Sequence, residues 1–308
     1  MPVIIEKNLP AFEELKEENI FIISSNRAET QDIRPLQIAI VNLMPEKIVT
    51  EKQLLRLIGN NIIQIEITFI HMSSHNSKNT EKSHLDTFYK TFEEIKDRKF
   101  DGMIVTGAPV EHLDFEDVGY WKELTDIFEY IEKNVTSTLF ICWASQAALY
   151  HYFKIGKYQL PKKLFGVYQH KTLVTQENLF FGFDYLFNVP HSRHTEVRKE
   201  DILIESGLEI LSESDDAGVY ISASKDRRKF FLSGHGEYDC NTLGKEYFRD
   251  KEKGLKIDIP VNYFPEDNYN NIPRTSWKSS ANLLFNNWIN YYVYQKTEFD
   301  ITKIGSNE

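Results

Sequence analysis

Three residue types that together support covalent catalysis occur at suggestive positions in this chain. Cys142 follows the apolar run 139–141 and precedes an alanine-rich stretch, so it lies where a strand turns into a helix. A thiol beside the positive end of a helix ionises more readily than a free thiol and becomes a nucleophile. His235 follows a second apolar run, and Glu237 comes two residues later. Together the three side chains predict Cys–His–Glu covalent catalysis.

Two backbone segments are candidates for the oxyanion hole that such a reaction needs. Trp143 directly follows the cysteine, and Gly107 lies in a short turn after another apolar run. Their N–H groups would stabilise the negative oxygen of a tetrahedral intermediate. The glycines that usually flank a nucleophile elbow are replaced by Phe140 and Ala144. Alanine is small enough to preserve close packing at such a turn.

Apolar strands alternate with amphipathic helices in the first half of the chain. Strands are predicted at 36–43, 62–71, 102–106 and 137–141, and helices at 50–58, 85–96, 118–132 and 145–152. This alternation implies βαβ units with right-handed crossovers. The predicted fold class is therefore α/β, with a parallel sheet flanked by helices.

Shorter strands follow in the second half. They are predicted at 164–173, 186–189, 208–212, 219–223 and 229–232, with helices at 241–252 and 277–294 and an ordered loop at 260–274. No linker rich in serine or glycine divides the chain. We therefore predict an N-terminal extension packed on the core (1–35), a single catalytic domain (36–298) and a C-terminal tail (299–308).

Composition narrows the class of protein. The formal net charge of −10 argues against a general binder of nucleic-acid backbones. Two cysteines cannot form a disulfide framework, which fits a reducing compartment. The N-terminus lacks the pattern of a signal peptide, and no apolar stretch approaches the roughly 20 residues that span a bilayer. These features predict a cytoplasmic protein that binds neither nucleic acid nor membranes.

Two further histidines have a spacing that metal ligands can adopt. His191 and His194 lie in a polar stretch after Pro190. No third ligand is evident, so the sequence favours loop histidines with satisfied hydrogen bonds and predicts no metal site. Cys240 is interpreted as a structural residue.

Five segments of the chain have specific motifs. They are Asn42-Leu-Met-Pro-x-Lys47-x-x-Thr-Glu51, Ile141-Cys-Trp-Ala-x-Gln-Ala-Ala-Leu149, Ser233-Gly-His-x-Glu-Tyr-Asp239, Val261-Asn-Tyr-Phe-Pro265 and Asn287-Trp-x-Asn-Tyr-Tyr-Val-Tyr294. Together they resemble one known family, the bacterial homoserine O-acyltransferases of methionine biosynthesis, and the resemblance runs from about residue 1 to about residue 298. Departures are small: Ala144 stands where glycine is usual, and Gly236 where proline is usual.

The resemblance implies a flavodoxin-like, class I glutamine-amidotransferase-like fold with terminal extensions. It also implies a ping-pong reaction in which Cys142 takes an acyl group from acyl-CoA and passes it to the hydroxyl of homoserine. His235 would move the protons, and Glu237 would orient it. No permanently bound cofactor is implied, because acetyl-CoA serves as a co-substrate. Family members are commonly homodimers.

Further site residues carry over from the family by position. Arg249 matches the arginine that pairs with the homoserine carboxylate, for which a guanidinium is physically apt. Lys163 and Ser192 match other substrate-binding positions. Lys47 matches a lysine near the catalytic pocket.

Glu111 discriminates between two acyl donors within this family. A small residue at this position accompanies use of succinyl-CoA, and a glutamate accompanies use of acetyl-CoA. A glutamate would fill the space of a succinyl tail and repel its carboxylate. The chain has the glutamate, which predicts a homoserine O-acetyltransferase.

Three alternatives stay open at this point. A succinyl-CoA-using homoserine O-succinyltransferase would keep the family and discard the Glu111 argument. A glutamine amidohydrolase uses the same cysteine, histidine and glutamate on the same fold, although the chain shows no synthase domain to receive ammonia. A binding protein without catalysis would not require Cys142.

Overall fold

The computed structural model describes residues 3–4, 6, 8–17, 22–23, 34–59, 61–75, 79–174 and 176–305. Its strands in chain order are β1 Val3–Ile4, β2 Ile22–Ile23, β3 Leu36–Val41, β4 Ile65–Ile70, β5 Tyr89–Lys90, β6 Phe100–Val105, β7 Val135–Ile141, β8 Tyr158–Thr172, β9 Leu186–Glu196, β10 Leu208–Ser214, β11 Gly218–Ser224 and β12 Lys229–Leu232. These strands form one sheet in the order β2-β1-β4-β3-β6-β7-β12-β11-β10-β8-β9, with β5 beside β4.

The described helices flank this sheet. They are α1 Ala11–Glu17, α2 Lys47–Gly59, α3 Lys82–Phe88, α4 Phe92–Ile95, α5 Trp121–Asn134, α6 Trp143–Phe153, α7 Lys199–Ile204, α8 Thr242–Glu252 and α9 Lys278–Asn287. A π-helical segment, Trp288–Tyr294, continues α9. None of the helices in the described part of the chain combines the length and apolar character needed to cross a membrane.

The strands from β2 to β12 in this order pair in parallel, as the sequence predicted. Alternate residues of β3 point to opposite faces, so Ile38 and Ile40 enter one core while Ala39 and Val41 enter the other. The first core includes Leu54 of α2, and the second includes apolar side chains of α5. Burial on both faces explains why these strands are continuous apolar runs.

The other half of the sheet is antiparallel, from β12 through β11, β10 and β8 to β9. Strand β9 extends well beyond the predicted 186–189. Beyond residue 189 the side chains of β9 face a buried layer and a cavity in turn, and most of them are polar. The sequence therefore lacks the alternation of apolar and polar residues by which a strand is predicted. Pro190 fits because β9 is an edge strand in this order, and its carbonyl accepts a hydrogen bond from the N–H of His235 at 2.8 Å.

The predicted helix at 85–96 is wrong. The chain leaves α3 at Tyr89, pairs with β4 as β5, and begins α4 after Thr91. Thr91 and Glu94 form a capping box, with Glu94 Oε2 accepting from the Thr91 backbone N–H at 2.7 Å. Because of this capping box and the burial of Tyr89, the residues predicted to form one amphipathic helix form two short helices instead. The predicted helix at 277–294 likewise changes to π-helical geometry after α9.

Of the predicted N-terminal extension, the described residues place β1 beside β4 and β2 beside β1. Leu15 of α1 is fully buried in the same core as α2. Residues 1–2, 5, 7, 18–21, 24–33 and 306–308 lie outside the described residues, and the division into extension, domain and tail stays a prediction.

The segment beginning at Val261 closes tightly against β8. Gly166 adopts a positive φ of 148°, and a Cβ atom there would lie 2.4 Å from the carbonyl oxygen of Val261. The N–H of Val261 donates to Phe165 at 3.0 Å, and the N–H of Val167 donates to Val261 at 2.8 Å. Only glycine permits this approach, which gives the family segment at 261–265 a structural role.

We expect Gly166→Ala to destabilise the protein by at least about 2 kcal/mol, because the added Cβ meets backbone atoms and the φ is unfavourable. Urea unfolding followed by circular dichroism would measure the change. Gly156→Ala is the matched control, since a Cβ there meets nothing within 4 Å. Equal stability of the two variants would contradict the close approach.

Candidate active site

Cys142 occupies a strained turn between β7 and α6. Its φ of 52° and ψ of −116° are uncommon for a residue with a side chain. The backbone is held by the Cys142 N–H, which donates to Leu232 at 2.6 Å, and by the N–H of Ser145, which donates to Cys142 at 3.0 Å. The side chain is buried, with 5% exposed. This is the geometry of a nucleophile elbow, as the sequence predicted.

His235 reaches the cysteine from the end of the neighbouring strand. Leu232 of β12 pairs with Ile141 of β7, so the chain segments that follow both strands leave the sheet side by side. The imidazole forms a hydrogen bond with the side chain of Cys142. Its Nδ1 lies 2.6 Å from Oε1 of Glu237. Tyr238 stacks on the ring with centroids 4.2 Å apart, which fixes the ring plane.

Opposing effects set the protonation of His235. Burial disfavours the imidazolium, but the negative charges of Cys142 and Glu237, together with the hydrogen bonds that His235 makes to both, outweigh burial. The pKa of His235 therefore lies well above its ordinary value of 6.5. An imidazolium beside a thiolate is the protonation state that a cysteine nucleophile requires.

The predicted oxyanion-hole residues lie on either side of Cys142. A Cβ at Gly107 would come within 3.1 Å of the Cβ of Cys142, so this turn passes close to the nucleophile. Trp143 is the first residue of α6, where a backbone N–H has no carbonyl acceptor within the helix. Both backbones therefore lie beside the nucleophile, and their role as an oxyanion hole stays a prediction.

Most of the predicted site residues line one cavity of about 320 Å³. Those that line it are Gly107, Glu111, Cys142, Lys163, Ser192, His235 and Arg249. The cavity lies beyond the C-terminal ends of the parallel strands, where ligands bind in open α/β sheets.

One side of the cavity carries a charged cluster that the sequence only partly revealed. Ser192 Oγ donates to Glu246 at 2.6 Å, and Lys163 lies 3.3 Å from Glu246 and 3.7 Å from Asp250. Arg249 pairs with Asp250 at 2.7 Å and keeps about half of its side chain exposed. Neither carboxylate, Glu246 nor Asp250, was predicted as a site residue from the sequence. Their i, i+4 spacing on α8, on either side of Arg249 in sequence, was the available signal.

Glu111 is held by hydrogen bonds at its side chain and at its backbone. Its Oε1 accepts a hydrogen bond from the backbone N–H of His194 at 3.0 Å, and its backbone carbonyl accepts one from Lys157 at 2.7 Å. The ring of His194 lies 5.1 Å from that of His112, which also lines the cavity. The carboxylate therefore occupies a set position in the cavity wall.

Lys47 lies behind the cavity wall instead of in it. Its Nζ donates to the carbonyls of Asn42 at 2.5 Å and Met44 at 3.3 Å. Burial lowers the pKa of Lys47 to about 8, against the opposing charge of Glu51. Met44 does line the cavity. The structure thus places Lys47 directly behind that wall, and a role as an active-site lysine stays a prediction.

His191 and His194 lie on β9 and not in a loop. His191 is fully buried and stacks on His170, with Nε2 atoms 3.2 Å apart. Burial lowers the pKa of His170 to about 4 and that of His191 well below 6.5, so both stay neutral at physiological pH. Within the described residues, no group of three His, Cys, Asp or Glu is placed to hold a metal ion.

The fold and the site define a class: an α/β protein of the class I glutamine-amidotransferase type with a cysteine at its nucleophile elbow. A glutamine amidotransferase from Thermotoga maritima matches 83% of this chain and 98% of its own, with a TM-score of 0.56 and 12% identity. One from Methylobacillus flagellatus matches 84% and 95%, with a TM-score of 0.50 and 10% identity. At these identities the likeness shows the fold alone.

Sequence comparison then gives the family. The model of the homoserine O-succinyltransferase family matches residues 2–299, and the chain belongs to this family. A homoserine O-acetyltransferase from Brevibacillus brevis is 57% identical over 98% of both chains. Proteins of the same name from Clostridium acetobutylicum (98% of this chain, all of the relative) and Bacteroides fragilis (99% and all) are 56% and 54% identical. The resemblance inferred from the five segments is confirmed.

We expect Glu237→Gln to lower the pKa of His235, because the substitution removes a negative charge that favours the imidazolium. NMR titration of histidine-labelled protein, with the His235 signal assigned through His235→Gln, would measure this shift. Glu237→Asp keeps the charge and is the matched control. An unchanged titration midpoint in Glu237→Gln would show that Glu237 does not act on His235.

Proposed function

We propose that this protein is a homoserine O-acetyltransferase. It would transfer acetyl from acetyl-CoA through an acyl-Cys142 intermediate to the hydroxyl of homoserine, a step in methionine biosynthesis. The observation that carries the proposal is the near full-length identity of 53–57% to proteins of that name. The Cys142–His235–Glu237 arrangement supplies the chemistry that such a transfer needs.

In the first half-reaction the thiolate of Cys142 attacks the thioester carbonyl. The carbonyl oxygen becomes an oxyanion near the backbones of Gly107 and Trp143. When the tetrahedral intermediate collapses, the bond to the CoA sulfur breaks, and the imidazolium of His235 gives its proton to that sulfur. CoA leaves as a thiol, and Cys142 carries the acetyl group.

Acylation then prepares His235 for the second half-reaction. The acyl-cysteine carries no negative charge, so the largest influence that raises the pKa of His235 is gone. Burial then favours the neutral imidazole, which accepts the proton of the homoserine hydroxyl. The resulting oxygen nucleophile attacks the acyl-cysteine, the ester forms, and Cys142 leaves as thiolate while His235 keeps the proton. The starting ion pair is restored.

The charged cluster suits an α-amino acid, which carries both signs of charge. Arg249 and Lys163 offer cations to the carboxylate, and half of the Arg249 side chain is free to turn toward a ligand. Glu246 and Asp250 offer acceptors to the α-ammonium group. The present pairs within the cluster would exchange for pairs with the substrate, so the charges stay balanced during binding.

Glu111 supports acetyl over succinyl transfer. Its carboxylate is held in the cavity wall by the backbone of His194. A succinyl group would bring a second carboxylate into the same cavity, where the two negative charges repel each other. An acetyl group meets no such penalty. This argument separates the proposal from the succinyl-CoA alternative.

A glutamine amidohydrolase is the second candidate, because the Cys142–His235–Glu237 arrangement would serve that reaction as well. The same triad would hydrolyse the amide of glutamine without CoA. A binding protein without catalytic activity is the remaining alternative.

We also propose a cytoplasmic location, where Cys142 and Cys240, both free thiols, would stay reduced. A homodimer stays a prediction of the family resemblance.

Purified protein should release free thiol from acetyl-CoA only when homoserine is present, because ping-pong turnover needs the second acceptor. Thiol release with acetyl-CoA, succinyl-CoA or glutamine as donor would be compared. Cys142→Ala is the control and should lose roughly a thousandfold or more in rate. Preference for succinyl-CoA would support the succinyltransferase, and ammonia release from glutamine would support the amidohydrolase. Turnover of none of the three donors would support a binding protein without catalysis.

Glu111→Gly should shift the ratio of kcat/KM for succinyl-CoA over acetyl-CoA upward by roughly 10- to 200-fold, the range that one small group in a pocket contributes. Glu111→Gln, the matched control, removes the charge but keeps the volume. A gain in both variants would assign the discrimination to charge, and a gain only in Glu111→Gly would assign it to space. An unchanged ratio in both would remove Glu111 as the determinant.

A further inference from the structure

A second cavity of about 430 Å³ lies directly beside the catalytic one. Four residues line both cavities: Lys163, His194, Asp250 and Leu255. The two cavities therefore adjoin each other at these four residues. A long ligand whose reactive end reaches Cys142 would extend into the second cavity. Nothing in the proposed chemistry of homoserine uses this second space.

Apolar side chains line the second cavity, and two exposed lysines form what we call its basic rim. Phe165, Leu255 and Ile257 supply apolar surface. Lys162 on β8 and Lys256 on the loop after α8 add exposed ammonium groups. This combination suits a long, mostly apolar chain that ends in anionic groups.

The acidic groups nearby do not neutralise this rim. Asp258 lies 4.0 Å from Lys162, and both side chains are largely exposed. An exposed ion pair at that distance contributes little to the free energy of folding, so Lys162 can pair with another anion instead. Asp250 is engaged on the catalytic side by Arg249 and Lys163.

Acyl-CoA has the matching chemistry. Its pantetheine arm is long and carries apolar methyl groups, and its nucleotide end carries phosphates. A protein of net charge −10 repels such a ligand at long range, so local cations are needed to hold it. Lysine is a flexible point charge that suits phosphate groups.

We propose that the second cavity holds the pantetheine arm of acetyl-CoA, with Lys162 and Lys256 contacting the phosphates of its nucleotide end. This inference rests on the proposed function. The acetyl group would then enter the catalytic cavity past His194, whose backbone holds Glu111. The donor and homoserine share Lys163 and Asp250, which a ping-pong order permits because CoA leaves before homoserine binds.

The test compares acetyl-CoA with S-acetylpantetheine, a thioester that lacks the nucleotide and its phosphates. In Lys162→Glu/Lys256→Glu we expect kcat/KM for acetyl-CoA to fall roughly tenfold or more relative to kcat/KM for S-acetylpantetheine. The KM for homoserine should stay the same. Rising salt should lower the wild-type kcat/KM for acetyl-CoA more than that of the double variant.

Lys225→Glu is the control, a lysine-to-glutamate change outside the lining of both cavities. Lys225 is exposed in the turn that precedes β12, whereas Cys142 follows the end of β7, the parallel neighbour of β12. We expect it to behave as the wild type with both thioesters. Equal ratios for the double variant and Lys225→Glu would overturn the placement of CoA in the second cavity.

Calorimetric binding of CoA and of pantetheine separates this inference from the proposed function. Normal turnover with no effect of the lysine substitutions would overturn only the CoA site. Weaker CoA binding in the double variant would support the site even if homoserine turnover were absent, in which case the proposed function alone fails. A wild type that neither binds CoA nor turns over acetyl-CoA would overturn both.

Discussion

The parallel pairing of β7 with β12 is the constraint on which the site depends. It brings the chain ends after Ile141 and Leu232 together, and the Cys142 N–H completes the pairing by donating to Leu232 at 2.6 Å. Because the elbow at Cys142 has an unfavourable φ, it persists only where surrounding hydrogen bonds and packing over-determine it. The strained turn and the approach of His235 are therefore two results of one strand pairing.

Burial makes the charges of this site effective and also costly. His235 and Glu237 are both nearly inaccessible to water, so their attraction is strong but their desolvation is unfavourable. The negative charges of Cys142 and Glu237 both raise the pKa of His235 against the effect of burial. Removal of the charge on the sulfur atom of Cys142 would therefore lower the pKa of His235, and no movement of the backbone is required for this change.

The charged groups of the cavity beside Cys142 are also paired with one another. Ser192 on β9 and Glu246 and Asp250 on α8 form a cluster in which each charge already has a partner. Such a cluster can accept a zwitterion by exchanging partners. Beside it, Lys47 supports the wall at Met44 from behind, and its lowered pKa is the cost of that buried position.

Local signals in the sequence determined the parallel sheet, the elbow at Cys142 and the pairing of His235 with Glu237, because strand runs and a two-residue spacing are encoded by neighbours in the chain. Only the tertiary structure decided what distant residues do. The part of β9 beyond residue 189 escaped prediction because its polar side chains face a buried layer and a cavity. The roles of Glu246 and Lys47 depend on segments far away in sequence, and no periodicity records such contacts.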